Sequence, residues 1–554
     1  MRYYEDSIAF LGQWGRFQTV VFFLLSASIV PNGFGAFNLV FLTDIPSHHC
    51  RVRDVNLTED WQKNIIPFKV VDGKPELSRC SRYRLDVVRN LSAQGLLPDK
   101  DVNLTDLEQE ACVDGWIYNT DIYQATIVSE FDLVCDDEWK QPFSASVFFL
   151  GSLCGSFMSG QLSDRFGRKP VLFVTIILQT ICTFAQVYST SWLMFTILLF
   201  INGLGQISNF VAALVLGAEV LTDKVRVLYS SLGTCFGFAL GYMMLPLFAY
   251  FIRDWRYLLL ALSVVGAAYL PAWWLIPESP RWLLSQGRVK EAEAIVKKAA
   301  KWNKLQTPAI IFEESCYNET KTDVKEKYNV LDLLKSQARG TTLIVSLVSF
   351  TITAGYFGLS FDTPQLHTNP FVSCFISAAV EFPAYVSSWL ALLYLPRRLS
   401  VVGSLFIGAV PLFLIQLVPQ ELSYLSLSLE MLGKYGFTSG LSMMFAYTAE
   451  LYPTPLRNTA TGTTGTVSRL GSCIAPFMLK MRLWFKYLPY ILLGTLSILS
   501  AFAAFFLPET LGQPLPENFE QMQRGKGMMC PCVNGGKKKR TQRVAKQSNI
   551  AYSV

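Results

Sequence analysis

A guanidinium in the middle of an apolar run is the most informative group in this 554-residue chain. Arg469 stands in Thr466-Val467-Ser468-Arg469-Leu470-Gly471-Ser472. A charge there is costly unless it faces a cavity or a partner, and its natural ligand is a carboxylate held bidentately. The competing reading locks it to a helix-end carboxylate such as Glu450. The cationic end of a ligand calls for aromatic faces, because a quaternary ammonium has no hydrogen to donate and is held by ring quadrupoles. Phe210, Phe238, Tyr356, Phe445 and Tyr447 are the candidate rings. Glu381, in Val380-Glu381-Phe382-Pro383, is an intramembrane carboxylate read as a cation partner or proton site. Asn32 follows Pro31, where proline interrupts the backbone bonding and frees carbonyls. Asn32, those carbonyls and either Gln206 or Glu450 are the candidate sodium ligands. Sodium as a coupling ion is the one small group expected; no cofactor is.

These groups sit on membrane-length elements. Apolar residues make up 51% of the chain and cluster into about twelve runs of roughly 20, centred near Leu24, Phe149, Thr175, Leu198, Gly237, Val264, Val345, Ala379, Ile407, Gly436, Gly465 and Leu496. The chain also carries a duplication. Ala218-Glu219, Arg226 and Pro277-Glu278-Ser279 recur as Ala449-Glu450, Arg457 and Pro508-Glu509-Thr510, all in one register of 231 residues (450 − 219). Two parallel six-helix halves around a central cavity place a substrate site near the bilayer midplane, and rocking of the halves gives alternating access. By the same offset Phe238 lies opposite Arg469 across the halves. Such a machine needs a gate. Gly160, Asp164, Arg165, Gly167, Arg168 and Lys169, in the order Gly-x-x-x-Asp-Arg-x-Gly-Arg-Lys, supply charges that pair with Glu219, and Arg226, Glu450 and Arg457 complete the gate set. Pro396-Arg397-Arg398 is the second-half counterpart without the Asp, so the lock is expected to be asymmetric.

The expected boundaries are a cytosolic N-terminus (1–18), a first half (19–276) with a large external loop (44–141), a cytosolic middle loop (277–340), a second half (341–507) and a cytosolic tail (508–554). Lys and Arg concentrate in the middle loop and tail, which places both termini in the cytosol. The external loop bears three sequons, at Asn56, Asn90 and Asn103, and four cysteines, Cys50, Cys80, Cys112 and Cys135. Two disulfides are expected in any of three pairings. A fourth sequon, Asn318, is taken as accidental; Cys530-Pro531-Cys532 is a palmitoylation candidate; and Ala551-Tyr552-Ser553-Val554 is a candidate PDZ ligand. An enzyme is excluded: there is no nucleophile-base constellation, and His48, His49 and His367 lack metal-site spacing. Membrane lipid is a partner; nucleic acid is not.

The Gly160–Lys169 string resembles the major facilitator signature, and Pro277-Glu278-Ser279-Pro280-Arg281-Trp282-Leu283 the sugar-porter-like signature. With the Cys-bearing, sequon-bearing loop, the chain resembles the organic cation/anion/zwitterion transporter family. Pro31-Asn32-Gly33-Phe34, Gly205-Gln206 with Asn209, and Arg253-Asp254-Trp255-Arg256 are similar to its organic cation/carnitine transporter subfamily. The resemblance implies an all-α major facilitator fold of twelve transmembrane helices. It also implies plasma-membrane uptake of carnitine-like zwitterions with sodium, or of organic cations. The alternatives are a sodium-independent facilitative cation carrier, an organic anion exchanger, and a receptor that no longer transports. Relatives for simple cations have an acidic residue near Arg469, so Arg favours a substrate with a negative end. Where carnitine-type relatives carry Tyr, this chain has Phe at 210, 238 and 445. Gly217 to Val225 lacks the second Gly and the Ser of the relatives' Gly-x-x-x-x-Gly-Lys-Ser, so no phosphate cradle is implied. Leu479-Lys480-Met481-Arg482-Leu483-Trp484-Phe485-Lys486 replaces a short apolar, Gly-containing turn.

Overall fold

The computed structural model describes residues 7–12, 14–52, 57–71, 74–308, 311–312, 333, 339–362, 369–419 and 422–511. Nine helices among them are long and apolar enough to cross a membrane: α1 (Arg16–Leu42), α2 (Cys135–Phe166), α3 (Arg168–Val187), α4 (Trp192–Val220), α5 (Tyr229–Phe251), α6 (Trp255–Trp274), α7 (Arg339–Asp362), α8 (Pro370–Tyr394) and α9 (Arg397–Leu417). Three more complete the twelve: α10 (Ser423–Leu451), α11 (Thr454–Lys480) and α12 (Leu488–Ala504). Each expected run centre falls inside its helix. α10 and α11 are less apolar because they carry Glu430, Lys434 and Glu450, and Arg457, Arg469 and a series of threonines.

Packing repeats with a period of six helices. α1 packs on α5 as α7 on α11, α2 on α4 as α8 on α10, and α3 on α6 as α9 on α12. The halves meet along α2–α11 and α5–α8, two seams that the same shift exchanges. At the α1–α5 contact the backbones touch: a Cβ on Gly33 would lie 2.3 Å from Phe238 O, and one on Gly241 2.1 Å from Val30 O. Glycine is what allows the two helices to approach this closely.

Between α1 and α2 sits a small domain that is not helical throughout. It holds three two-stranded antiparallel ribbons, among them His48–Cys50 with Trp116–Tyr118 and Ser81–Tyr83 with Gln109–Ala111. Two disulfides close it, Cys50–Cys112 and Cys80–Cys135, around an apolar centre that includes Trp61, Ile65 and Val88. It is fixed to the first half, where Glu130 accepts from Trp255 Nε1 at 2.7 Å and pairs with Arg256. At the opposite face, the amphipathic helix Val289–Trp302 buries Ala292, Val296, Ala299 and Ala300 against the first half. Asn303 then caps α1, accepting from Phe17 N at 3.0 Å.

The apolar cores reveal the conformation. One core joins the halves toward the disulfide domain, with Phe37, Phe41 and Phe149 against Tyr356, Phe371 and Phe437. Toward the other face each half has its own core, and the halves stay in contact there through a small cluster of Leu232, Ala239 and Tyr385 between α5 and α8. The molecule is closed on the disulfide side and parted on the linker side.

Candidate functional site

Where the joined core ends, a lysine is fully buried between the halves. Lys434 of α10 donates to Ser377 Oγ of α8 at 2.6 Å and to Tyr242 OH of α5 at 3.4 Å, and its Nζ lies 3.4 Å from Glu381 Oε1. Glu381, equally buried, accepts from Tyr356 OH at 2.6 Å and Tyr385 OH at 3.5 Å. The local chain explains its position. Pro383 removes a helical donor, α8 is interrupted at Val380, and Glu381 opens the second segment, where the helix dipole favours a carboxylate. The rings of Tyr242, Tyr356 and Phe37 stand 4.4, 5.5 and 5.9 Å from the ammonium. An internal cation thus fills an aromatic cage of the kind that holds ligand ammonium groups. Tyr242 and Phe37 come from the first half and the rest from the second, so the cluster is also a joint between them.

Arg469 differs. It is half-buried on α11, and Nη1 donates to Gly465 O of its own helix at 3.0 Å. No carboxylate lies within ion-pair distance of it among the described residues. Its neighbours Gly465 and Ser468 line a small pocket of about 20 Å³ with Ser349 of α7 and Phe445 and Thr448 of α10, and Phe445 is an exposed ring.

The first half presents neutral amides instead. Around Pro31 the backbone of α1 skips its regular bonding, since Asn32 N turns to Ile29 O. The released carbonyls are met by side chains from α3 and α4. Asn209 Nδ2 donates to Ser28 O at 3.0 Å, Gln206 Nε2 to Asn32 O at 2.7 Å and Gln179 Nε2 to Pro31 O at 3.4 Å. Asn209 Nδ2 also donates to Asn32 Oδ1 at 3.1 Å, and Gln179 Oε1, Gln206 Oε1 and Asn209 Oδ1, with the donor Asn32 Nδ2, are left buried without a partner among the described residues. Hard oxygens in that state suit a small monovalent cation.

Toward the linker face the two halves carry matching clusters. Arg168 holds Glu219 with two bonds, at 3.0 and 3.1 Å, Ser279 Oγ donates to Glu219 at 2.6 Å, and Glu278 accepts from the Arg168 and Lys169 amides. In the second half Arg397 pairs with Glu450 at 3.3 Å, Thr510 Oγ1 donates to Glu450 at 2.6 Å, and Glu509 accepts from the Arg397 and Arg398 amides. Burial pushes the Glu278 carboxyl up, and the amides of Ser279, Lys169 and Arg168 pull it back.

The sequence model described as sugar (and other) transporter matches residues 114–522. Organic cation/carnitine transporter 2 of Rattus norvegicus is 52% identical over 95% of each chain, and the protein of the same name from Homo sapiens matches to the same extent. The chain belongs to the sugar (and other) transporter family, in its organic cation/carnitine transporter branch. Among solved structures, the major facilitator proton:xylose symporter XylE bound to 6-bromo-6-deoxy-D-glucose superposes with a TM-score of 0.56 at 15% identity, covering 91% of this chain and 99% of that one. That likeness establishes the major facilitator fold, and membership of the family makes the chain a multi-pass membrane transporter and not an enzyme.

Within this family fold, the structure sorts the expected residues. Tyr356 and Glu381 meet at the joint, but the cation partner of Glu381 is the protein's own Lys434. The sequence reading missed Lys434, although a lysine inside the tenth run carries the same signal as Arg469. Phe445 lines the Arg469 pocket. Phe238 packs near Phe37 at 6.0 Å, and Phe210 lies half-buried on the first-half core. Tyr447 is a correction: it is fully buried in the second-half core and donates to Pro508 O at 2.7 Å, so it has no cavity face. Glu450 is another. It is engaged by Arg397 and Thr510, far along α10 from the joint, and joins neither Asn32 nor Arg469. The pairing expected of the gate string with Glu219 is present: Arg168 bridges Asp164 at 2.9 Å and Glu219, both within the first half. Arg165 is exposed over the Phe166 ring, Arg226 donates to Leu221 O, and Arg457 Nε and Nη2 are buried without a partner among the described residues. The lock lacks the Asp in the second half, as expected, but is otherwise matched. Asn90 and Asn103 are exposed. Asn56, Cys316, Asn318, His367, Cys530, Cys532 and residues 551–554 lie outside the described residues.

Proposed function

We propose that the chain is a plasma-membrane carrier that takes up carnitine-like zwitterions, and organic cations with them, by alternating access. One observation supports the reading: Arg469 is a guanidinium at membrane depth with no carboxylate partner among the described residues, near the exposed ring of Phe445. A substrate carboxylate completes it, and rings such as Phe445 receive the cationic end. The names of the relatives agree with this substrate class. Sequons and disulfides on one domain support placing that face outside the cell, and the basic linker supports a cytosolic position for the other, which makes the molecule inward-open on this reading. Both termini are then cytosolic. Sodium is the coupling ion of this reading, held by the free amide oxygens of Gln206, Gln179 and Asn209 beside Asn32. A PDZ protein at the tail remains a proposed partner.

A second reading, organic anion exchange, draws on a different observation. Lys434 already pairs with Glu381, whereas Arg469 has no carboxylate partner among the described residues and could face an anion directly. Uptake of labelled carnitine and of labelled tetraethylammonium, with sodium present and replaced, decides among these for the wild type and Arg469→Ala. Carnitine uptake is expected to require sodium and to fall at least about tenfold in the variant, the scale of a lost charge-assisted hydrogen bond, while cation uptake survives. Movement of the cation alone, indifferent to sodium and to Arg469, would sink the zwitterion reading. Inhibition by simple carboxylates but not by quaternary amines would favour exchange.

A further inference from the structure

The basic stretch after α11 has a task that the site leaves unused. Lys480, the last residue of α11, lies against Glu138 at the start of α2: Nζ donates to Glu138 O at 2.9 Å and pairs with Oε1 at 3.1 Å. These residues belong to opposite halves and stand at the outer end of the α2–α11 seam. Two residues on, Arg482 grips both oxygens of Asp362 at the end of α7, and Tyr490 of α12 donates to the same carboxylate. Asp362 is fully buried, so Arg482 is held firmly, because releasing it would strand an unpaired buried charge. Arg482 therefore pins the turn after α11 to the second half, and Lys480 reaches across from a fixed base. Beneath them lies a cavity of about 170 Å³ with walls from both halves, Thr43 and Gln141 facing Leu479 and Arg482. Deeper in the seam, Ser146 Oγ donates to Cys473 O at 2.6 Å.

We infer that Lys480 and Glu138, with Arg482 and Asp362 as the anchor, form an ionic clasp on the outer gate that biases this carrier toward its inward-open state. The inference rests on the reading of the molecule as an alternating-access carrier with the disulfide domain outside. The outer gate cannot open while the cross-half pair is made, whereas the inward-open state keeps it intact. The pair is partly exposed, with side-chain exposures of 23% and 32%, so it acts as a bias and not as a bolt.

Cys473 is a native reporter behind the clasp. In cells expressing the full chain, its modification by a membrane-impermeant thiosulfonate from outside is timed against a Cys473→Ser background. Lys480→Ala and Glu138→Gln are expected to speed modification about two- to fivefold, the population shift that a partly exposed pair can give. The exchange Glu138→Lys with Lys480→Glu is expected to return the rate to that of the wild type. Unchanged rates in both single variants, or a double variant as fast as the singles, would overturn the clasp. Because the assay reads accessibility without any substrate, its failure is separable from failure of the transport reading, which wild-type carnitine uptake tests independently.

Discussion

The two halves agree at their ends and differ in the middle. Toward the linker face, Arg168, Glu219, Glu278 and Ser279 are matched by Arg397, Glu450, Glu509 and Thr510, with nearly the same bonds. At membrane depth the first half offers amides, Asn32, Gln179, Gln206 and Asn209, whereas the second offers Glu381, Lys434 and Arg469. A duplicated scaffold has kept the parts that hold three helices together and changed the parts at membrane depth. The charge distribution follows from cost. Neutral amides can be buried with a free oxygen at modest expense, but a buried ion needs a partner or a ligand. Of the two cations in the second half, Lys434 has its partner, and Arg469 awaits one.

The largest expected effect comes from breaking the charged side. Lys434→Ala leaves Glu381 buried and uncompensated, and should cost about 3–5 kcal/mol, read as a lowered unfolding temperature of purified protein. Changing both residues to Met should recover most of that stability while uptake stays lost. A double variant no more stable than the single would show that the pair is not a unit. The amide side should respond more gently. Gln206→Ala removes one neutral bond, worth about 1 kcal/mol; the sodium concentration for half-maximal uptake should then rise several-fold with little change in unfolding temperature. Asn32→Ala should do the same, and full retention of the sodium response in both would detach the amides from any ion. Smallest of all should be the contrast between Glu219→Gln and Glu450→Gln. Matched clusters should lose similar stability, within about 0.5 kcal/mol of each other, and a wide gap would break the claim that the ends are equivalent.

Most of the fold was legible in the residues. Twelve apolar runs and a constant offset of 231 specified the helices and the repeat, because lipid leaves a chain few alternatives to helices. The site was legible where a residue type was out of place: Arg469 and Glu381 stood out as charges in apolar runs. Lys434 offered the same signal, and pairing it with Glu381 required knowing that α8 and α10 pack together. Gln179 and Asn209 offered little, because an amide in a helix costs too little to be conspicuous. Tyr447 shows the limit of aromatic content, since a ring one helical face away from the cavity reads the same in sequence. Glu450 was assigned to three tasks and performs one, bracing its own half.

The disulfide domain has one further consequence. Glu130 ties it to α6, so it travels with the first half, yet its Tyr123 ring lies 5.8 Å from Phe371 of α8, which also stacks on Phe41 at 5.5 Å. On the alternating-access reading, opening the disulfide side draws Phe371 out of this first-half socket. A binder bridging the domain to the outer end of α8 would act as a brake, arresting the cycle from outside the cell without competing for the substrate.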